Sequence, residues 1–211
     1  MPLIAASILS ANYGRLEEEI KKLESAGADM IHLDVMDGHF VPNLTFGAPL
    51  IKALRPLTKL PFDVHLMVNE PQKMLEWFAN AGADIITVHF EALKEIKPVL
   101  EQIRRLGKKA GVSIKAKTSA DVLKPYLDEI DLILVMSIEP GFSGQAFMED
   151  QLEKVKEVKE MIGERDILIE VDGGVNTENA GRISQAGADI LVATTAIYKS
   201  EDYKGNIAGL R

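Results

Sequence analysis

The sequence predicts a single-domain (β/α)8 barrel over residues 1–211, because it contains a repeated tetrapeptide, eight apolar segments and helical periodicity between them. The tetrapeptide Ala-Gly-Ala-Asp occurs at 26–29, 81–84 and 186–189. Each copy follows an amphipathic stretch and precedes a short apolar run, and the second interval is close to twice the first. A fourth, degenerate copy is therefore predicted near the midpoint, where Asp131 begins another apolar run.

The apolar segments are predicted as parallel strands, because they alternate with stretches of helical period. Leu16, Ile20 and Leu23 share one face of the first such stretch, and Gly27 is typical of a helix end. Eight near-equal units, the last with a short helix, favour a closed barrel over an open doubly wound sheet, which gives no reason for that regularity. The predicted strands are LIAASIL (3–9), DMIHLD (29–34), FDVHLMV (62–68), DIITVH (84–89), AGVSIKA (110–116), DLILVM (131–136), ILIEVDGG (167–174) and DILVAT (189–194).

Composition limits the classes of partner. The net charge of −8 disfavours nucleic acid and anionic membranes, so a bound phosphate is predicted to meet backbone amides, helix N-termini or a metal. The absence of cysteine excludes disulfides and thiolate metal sites, and it fits a reducing compartment. The first residues, MPLIAASILS, lack the basic region of a signal peptide, and no apolar segment is long enough to cross a bilayer. We therefore predict a cytoplasmic protein with no nucleic-acid or membrane partner.

Two polar residues interrupt the second predicted strand, although buried strands normally avoid charge. His32 and Asp34 lie two residues apart, so both point to the same face. In barrels of this class the functional residues lie where strands end and the following loops begin, so we predict that both face inward at the C-terminal mouth. The four aligned repeats end on Asp34, His89, Met136 and Thr194, preceded two residues earlier by His32, Thr87, Leu134 and Val192.

His65 in the third predicted strand and Asp172 at the end of the seventh extend this set to two imidazoles and two carboxylates. Such a set suits one divalent metal ion of borderline character, Zn²⁺, Mn²⁺, Fe²⁺ or Co²⁺, better than Ca²⁺. Each residue alone also has a structural interpretation, since buried histidines often only hydrogen-bond and aspartate before two glycines is common in turns. The coincidence of all four at one end of one barrel favours a metal site formed by His32, Asp34, His65 and Asp172.

Glycine-rich loops follow the late strands, and barrels commonly bind phosphate with the loops after strands seven and eight. Exposed amides supply the donors in such sites, so no lysine is required. We expect a bulky residue at Gly173 or Gly174 to weaken phosphate binding more than folding. The loops are EPGFSG (139–144), DGGVN (172–176) and ATT (193–195).

Six ordered blocks of sequence are distributed over nearly the whole chain. They are SIL (7–9), LDVMDGHFVPNLTFG (33–47), DVHLMV (63–68), VHFEA (88–92), VMSIEPGFSGQAF (135–147) and EVDGG (170–174). In these blocks the chain resembles the ribulose-phosphate 3-epimerase family. The resemblance implies a TIM barrel of the ribulose-phosphate-binding type. It also implies a metal-dependent enzyme that inverts C3 of a ketopentose phosphate, interconverting D-ribulose 5-phosphate and D-xylulose 5-phosphate.

The resemblance also implies roles for individual residues. Asp34 and Asp172 match the acid/base pair, and one divalent metal ion per subunit is implied to bind His32, Asp34, His65 and Asp172. Met136 has two equally favoured interpretations, as a residue that lines the substrate pocket and as a residue that only packs in the core. The substrate, a phosphorylated ketose, is implied to contact Ser7, Met36, His65, Met67, Met136, Gly141, Phe142, Ser143, Gly144, Gly173, Gly174, Thr194 and Thr195.

Two segments depart from the family pattern. After strand five the family usually has Asn-Pro-x-Thr, whereas this chain has IKAKTS (114–119), with Lys115, Ala116 and Lys117. After strand eight Thr194-Thr195 stands in place of Gly-Ser. These departures leave open a ketohexose phosphate such as allulose 6-phosphate as the substrate. The decarboxylase/aldolase branch of similar barrels is disfavoured because its Asp-x-Lys-x-x-Asp pattern is absent, and a non-catalytic barrel is disfavoured because all four candidate ligands are present. Closed barrels of this type often associate, so a homo-oligomer of unspecified order is predicted.

Overall fold

The computed structural model describes residues 1–211, and its eight parallel strands close into one barrel. Each strand pairs with its sequence neighbours, and the eighth pairs with the first through the register Leu3–Ile190 to Ala6–Ala193. The predicted fold class is therefore confirmed, and the open doubly wound alternative is excluded. The strands are β1 (Leu3–Ser7), β2 (Met30–Met36), β3 (Phe62–Met67), β4 (Ile85–His89), β5 (Lys109–Ile114), β6 (Leu132–Met136), β7 (Leu168–Asp172) and β8 (Ile190–Ala193).

The helices cover the outside of the barrel, and the predicted alternation changes in two places: two short helices follow β8, and no α-helix follows β5. Between β5 and β6 the chain forms a 3-10 stretch, Ala120–Glu129, in place of an α-helix. Pro125 lies inside this stretch, and proline lacks the amide hydrogen and clashes with the carbonyl four residues earlier. No helix is long and apolar enough to span a membrane. The α-helices are α1 (Leu16–Ala26), α2 (Ala48–Leu54), α3 (Leu75–Ala81), α4 (Lys97–Arg105), α5 (Gln151–Ile162), α6 (Ala180–Ala186), α7 (Thr195–Tyr198) and α8 (Tyr203–Ala208).

Outward and inward side chains alternate along the strands and belong to separate apolar clusters. The outward residues pack beneath the helices in a cluster of 54 buried residues, which includes Ile31 and Leu33 of β2. A second cluster of nine buried residues fills the barrel interior: Met30, Ile85 and Ile190 lie at the beginnings of strands, and Met136 reaches the cavity at the C-terminal mouth. Because both faces are covered, the strands read as nearly continuous apolar runs. The interior is therefore closed by apolar side chains at its N-terminal end, and inward polar residues lie at the C-terminal end.

The repeated aspartates have a structural role that explains the fourfold sequence pattern. Each carboxylate accepts a hydrogen bond from a backbone N–H at the start of the preceding odd-numbered strand. The glycine two residues before three of these aspartates ends its helix with a positive φ, as at Gly27. The bonds run from Ile4 to Asp29 (2.7 Å), from Phe62 to Asp84 (2.7 Å), from Ala110 to Asp131 (2.8 Å) and from Ile169 to Asp189 (2.9 Å).

Removal of one of these carboxylates is expected to destabilise the barrel. Asp189→Ala leaves the partly buried N–H of Ile169 without its acceptor, which should lower the free energy of unfolding by about 1.5–3 kcal/mol. Asp166→Ala is the matched control, because Asp166 is exposed, and its substitution should change that free energy by less than about 0.5 kcal/mol. Urea denaturation of both variants measures the difference. Equal stabilities would contradict the assigned role.

Candidate active site

Four predicted ligands converge at the C-terminal mouth of the barrel. One nitrogen or oxygen atom from each of His32, Asp34, His65 and Asp172 lies within 4.8 Å of those of the other three, and all four residues are buried. The pairing of β2 with β3 sets Asp34 directly beside His65. Asp172 reaches the same point from the end of β7, on the far side of β1 and β8. The inward orientation predicted for His32 and Asp34 thus agrees with the structure.

The two imidazoles direct unpartnered nitrogens at the two carboxylates. His32 Nε2 and His65 Nδ1 are buried and form no hydrogen bond. His32 Nε2 lies 3.3 Å from Asp34 Oδ1 and 4.0 Å from Asp172 Oδ2. His65 Nδ1 lies 3.4 Å from Asp34 Oδ1 and 3.7 Å from Asp172 Oδ2. Buried polar atoms are normally satisfied, so two orphaned nitrogens beside two carboxylates need an explanation. A divalent cation fits this donor set, because neutral imidazole nitrogen and carboxylate oxygen are ligands of borderline transition metals.

Neighbouring hydrogen bonds hold the ligands in place. His32 Nδ1 lies 2.6 Å from Asp63 Oδ2, so the other ring nitrogen faces the cluster. The Ser7 hydroxyl donates to Asp34 Oδ2 at 2.6 Å, and Ser7 Oγ in turn accepts from the Leu9 amide at 3.2 Å. Such outer contacts orient metal ligands and fix their protonation state. Ser7, one of the predicted substrate contacts, thus touches the acid/base candidate Asp34.

The pKa values of the two aspartates are driven apart by their surroundings. Burial opposes the charge of Asp34, but the attraction of His32 and His65 prevails and holds its pKa well below the usual range. Burial raises the pKa of Asp172 to about 6, and the nearby charge of Asp34 adds to this effect. Burial also lowers the pKa of His32, but Asp34 and Asp63 outweigh it and raise that pKa well above the ordinary value. Two carboxylates with separated pKa values are suited to acid and base roles.

A second layer of polar residues lies beneath this cluster, and none of its carboxylates is among the residues predicted from the sequence. Asp63 and Glu170 are fully buried, and with His32 they form another group whose ligand atoms lie within 4.8 Å of one another. Burial, followed by the charge of Asp63, raises the pKa of Glu170 well above its ordinary value. Asp63 precedes the predicted ligand His65 by two positions, and Glu170 precedes the predicted ligand Asp172 by two positions. The period-2 rule that identified His32 and Asp34 could have found both.

A cavity opens above the ligand cluster and contains most of the predicted substrate contacts. Ser7 and His65 lie outside its lining, because both are fully buried beneath it. Met136 lines the cavity and also belongs to the interior apolar cluster, so both interpretations of this residue describe its surroundings. The predicted residues in the lining are Asp34, Met36, Met67, Met136, Gly141, Phe142, Ser143, Gly144, Asp172, Gly173, Gly174, Thr194 and Thr195.

The loop glycines differ in the space around them. A Cβ on Gly173 would lie 2.4 Å from Ile138 Cγ1, and one on Gly174 would lie 2.5 Å from the Phe147 backbone nitrogen. The expectation that bulky residues there would spare folding is therefore wrong, because the backbone itself would have to move. Gly144 faces more open space, with its nearest neighbour 3.9 Å away. The amides of Gly144 and Gly174 donate to no protein acceptor, which leaves them available to an anion.

The departures after strand five lie outside the cavity lining. Lys115 Nζ lies 4.0 Å from the centroid of the Phe40 ring, and Lys117 Nζ lies 3.7 Å from a Glu139 carboxylate oxygen. The ammonium group of Lys154 donates to the carbonyls of Lys115 and Ala116 and so holds this loop from below. These lysines therefore belong to the rim and the loop structure, away from the four candidate ligands.

Comparison with known proteins identifies the family. The sequence profile described as the ribulose-phosphate 3 epimerase family matches residues 3–198. The chain belongs to the ribulose-phosphate 3-epimerase family. It is 49% identical over 211 residues to a ribulose-phosphate 3-epimerase of Bacillus subtilis, covering 99% of this chain and 97% of the relative. It is 47% identical to the Escherichia coli protein of the same name, covering 99% and 94%. The resemblance noted in the sequence is confirmed, and the chain is an epimerase, a member of the isomerase class.

Comparison with solved structures shows the fold. The crystal structure of a 3-keto-L-gulonate-6-phosphate decarboxylase from Vibrio cholerae superposes with a TM-score of 0.75 over 100% of this chain and 95% of that chain. The orotidine 5'-phosphate decarboxylase of Pyrococcus horikoshii superposes with a TM-score of 0.71, over 99% and 97%. The sequence identities are only 17% and 15%, so these similarities demonstrate the shared barrel and carry no information about the reaction.

Proposed function

We propose that the enzyme inverts C3 of a ketopentose phosphate, interconverting D-ribulose 5-phosphate and D-xylulose 5-phosphate by proton transfer between two carboxylates. The observation that supports this most directly is the convergence of Asp34 and Asp172 from separate strands beside two unpartnered histidine nitrogens. Inversion at a carbon needs one acid/base group on each face of a planar intermediate. The origin of Asp34 in β2 and of Asp172 in β7, two strands that are not adjacent in the barrel, supports one carboxylate for each face.

His32, Asp34, His65 and Asp172 would hold one divalent ion per subunit, of the class Zn²⁺, Mn²⁺, Fe²⁺ or Co²⁺. Such an ion supplies Lewis-acid chemistry by stabilising negative charge on the substrate oxygens. The proton transfers belong to the chain's own side chains. Removal of the hydrogen at C3 is feasible because the C2 carbonyl can accept the charge as an enediolate.

In one direction Asp34 is the base and Asp172 is the acid. The Ser7 hydroxyl donates to the second oxygen of Asp34, so the orientation of this carboxylate is fixed when it takes the C3 proton. Burial favours the protonated form of Asp172, which delivers its proton to the opposite face of C3. The substrate gains one proton and loses one. Asp34 then holds the proton, and Asp172 is ionised, which is the starting state of the reverse reaction.

We propose that the substrate phosphate binds the glycine-rich loops through backbone amides. The unpartnered amides of Gly144 and Gly174 line or border the cavity together with Thr194 and Thr195. This arrangement suits a protein with a net charge of −8, since the anion needs local donors. The lysines at 115 and 117 lie outside the cavity lining and have no part in this assignment.

A methyl group on Gly144 is expected to weaken phosphate binding. Gly144→Ala places a side chain beside the proposed anion position, and we expect KM for the phosphorylated sugar to rise about tenfold, the loss of about one charge-assisted hydrogen bond. Gly163→Ala is the matched control: Gly163 also has a positive φ, +59°, it lies after α5, and nothing lies within 4 Å of a Cβ built there. A steady-state comparison in which both variants have the same KM would refute the phosphate assignment.

The function itself is tested by an epimerase assay with ribulose 5-phosphate and with allulose 6-phosphate, each with and without chelator and added divalent metal. We expect turnover of the pentose phosphate to exceed that of the hexose phosphate. The opposite preference would establish the ketohexose-phosphate alternative, which requires additional space in the cavity beyond C5. No turnover of either sugar by metal-loaded protein would establish the non-catalytic barrel.

We further propose that the enzyme works in the cytoplasm, without nucleic-acid or membrane partners, and that identical chains associate. The absence of cysteine and the negative net charge support the first part. Leu44 and Trp77 support the second, because these large apolar side chains are 73% and 60% exposed and line one groove beside α2 and α3. Exposed apolar groups that share a groove are typical of surfaces that bind a second copy. Sedimentation analysis of the wild-type chain measures the assembly.

A further inference from the structure

We propose that Glu91 and His89 are positioning residues that orient His65 and set its tautomer. Neither residue lines the cavity, and neither belongs to the four candidate ligands. The inference rests on the proposed function in one respect, since it concerns His65 as a metal ligand. The protonation pattern that it predicts exists in the metal-free protein and can be measured there.

The three side chains form a continuous chain of contacts from the mouth to the loop after β5. His65 Nε2 lies 2.9 Å from His89 Nε2, and both histidines are fully buried. His89 Nδ1 lies 3.3 Å from Glu91 Oε2. The rings of His65 and His89 are stacked, with centroids 4.9 Å apart, and Phe40 covers His89 from 4.7 Å. The ring of His65 is therefore held by both packing and a hydrogen bond.

Glu91 is anchored at its other oxygen. Oε1 accepts from the Lys115 amide at 2.8 Å and from the Thr118 hydroxyl, so two donors fix the orientation of the carboxylate. Burial raises the pKa of Glu91, but His89, Thr118 and the Lys115 amide outweigh it and lower the pKa to about 2. The group is therefore an anion that can only accept hydrogen bonds. Both donors lie in the segment after β5 that departs from the family pattern, so this segment has the role of holding the Glu91 carboxylate.

The direction of each hydrogen bond follows from this anion. Glu91 can only accept, so His89 must donate through Nδ1–H. A neutral His89 then has only a lone pair at Nε2, so His65 must donate through its own Nε2–H. His65 Nδ1 is thereby the nitrogen turned toward Asp34 and Asp172, and it is the same nitrogen that lacks a protein partner. Outer contacts of this kind fix ring orientation and raise the basicity of a ligand, and their loss commonly weakens metal binding 10- to 100-fold.

Glu91→Gln is the decisive variant, because it should reverse the tautomers without removing the side chain. The Lys115 amide and the Thr118 hydroxyl will select the glutamine oxygen, so the NH₂ group faces His89 Nδ1. His89 must then accept at Nδ1 and donate through Nε2–H, and His65 Nε2 becomes the acceptor. Glu95→Gln is the matched control, since it makes the same chemical change on an exposed side chain.

Nitrogen-15 NMR of the histidine rings in the metal-free full-length chain tests the proposal. In the wild type and in Glu95→Gln we expect His89 to be protonated at Nδ1 alone and His65 to carry a proton at Nε2. In Glu91→Gln we expect His89 to be protonated at Nε2. Calorimetric titration with Zn²⁺ should give an affinity about 10- to 100-fold weaker in Glu91→Gln than in the control.

The outcomes separate this proposal from the proposed function. A wild-type His89 protonated at Nε2, or an unchanged tautomer and unchanged Zn²⁺ affinity in Glu91→Gln, overturns the positioning role. A wild-type chain that binds no divalent metal, but has the expected His89 tautomer, refutes the metal site. It leaves the hydrogen bonds that connect Glu91, His89 and His65 supported. Unfolding of Glu91→Gln is monitored by circular dichroism. If that variant fails to fold, the tautomer of His89 measured in the wild type decides whether the positioning role is correct.

Discussion

Replacing either Asp34 or Asp172 by asparagine is expected to abolish net epimerisation, with a loss on the order of 10²–10⁴-fold or more in kcat. Each substitution removes the group that serves one face of C3, and inversion needs both faces. Asparagine is close in size to aspartate, so the buried mouth of the barrel should keep its packing. The rate alone does not separate proton transfer from metal binding, because both residues are also candidate ligands.

Hydrogen exchange at C3 separates the two roles. In each variant the remaining carboxylate can still remove a proton from the epimer that presents C3–H on its own face. Exchange with deuterated solvent should therefore persist for one epimer in Asp34→Asn and for the other epimer in Asp172→Asn. Metal content must be measured and excess metal supplied, since an amide binds metal more weakly than a carboxylate. Exchange of the same epimer in both variants, or near-normal epimerisation by metal-loaded Asp172→Asn, would rule out the assignment of one carboxylate to each face.

Removal of bound metal is expected to abolish activity, and restoration of Zn²⁺, Mn²⁺, Fe²⁺ or Co²⁺ is expected to recover it, with about one ion bound per chain. His32 Nε2 and His65 Nδ1 have no protein partner, and the negative charge of Asp34 lies 3.3–3.4 Å from both. His65→Ala should therefore lose the metal and the activity together, while the barrel remains folded because His65 belongs to neither apolar cluster.

His39→Ala is the matched control for this experiment. His39 is exposed in the loop after β2 and lies outside the group of candidate ligands, so its loss should leave metal content and turnover unchanged. Elemental analysis after dialysis against chelator, combined with the epimerase assay, measures both quantities. Full activity in protein shown to be free of metal would refute the metal site.

The barrel could be predicted from the sequence because its signals are local and repeated. The Ala-Gly-Ala-Asp copies mark helix ends, and the structure explains their aspartates as acceptors for the N–H groups of the odd-numbered strands. The stretch between β5 and β6 was predicted as helix, but it is a 3-10 segment, because the single proline at position 125 outweighs its apolar pattern. The end of β1 was placed at Leu9, but the strand stops at Ser7, where the serine hydroxyl accepts from the Leu9 amide and starts a turn.

The convergence of His32, Asp34, His65 and Asp172 could also be predicted, because alternation along a strand and the polarity of a parallel barrel decide which side chains reach the mouth. Asp63 and Glu170 obey the same alternation and could have been included. His89 and Glu91 could not be assigned from the chain alone, since their roles depend on which atom of one strand meets which atom of the next. The tight packing of Gly173 against Ile138 likewise exists only once β6 and β7 are paired.

The sequence by itself therefore determined the architecture, the end of the barrel that bears the polar residues, and the types of side chain present there. These properties follow from periodicity and chain direction, which are encoded locally. Only the tertiary structure decided the separated pKa values of Asp34 and Asp172, the unpartnered nitrogens of His32 and His65, and the relay from Glu91. Each of these depends on burial and on distances of about 3–4 Å between strands that are far apart in sequence, and electrostatic and hydrogen-bond energies change steeply over such distances.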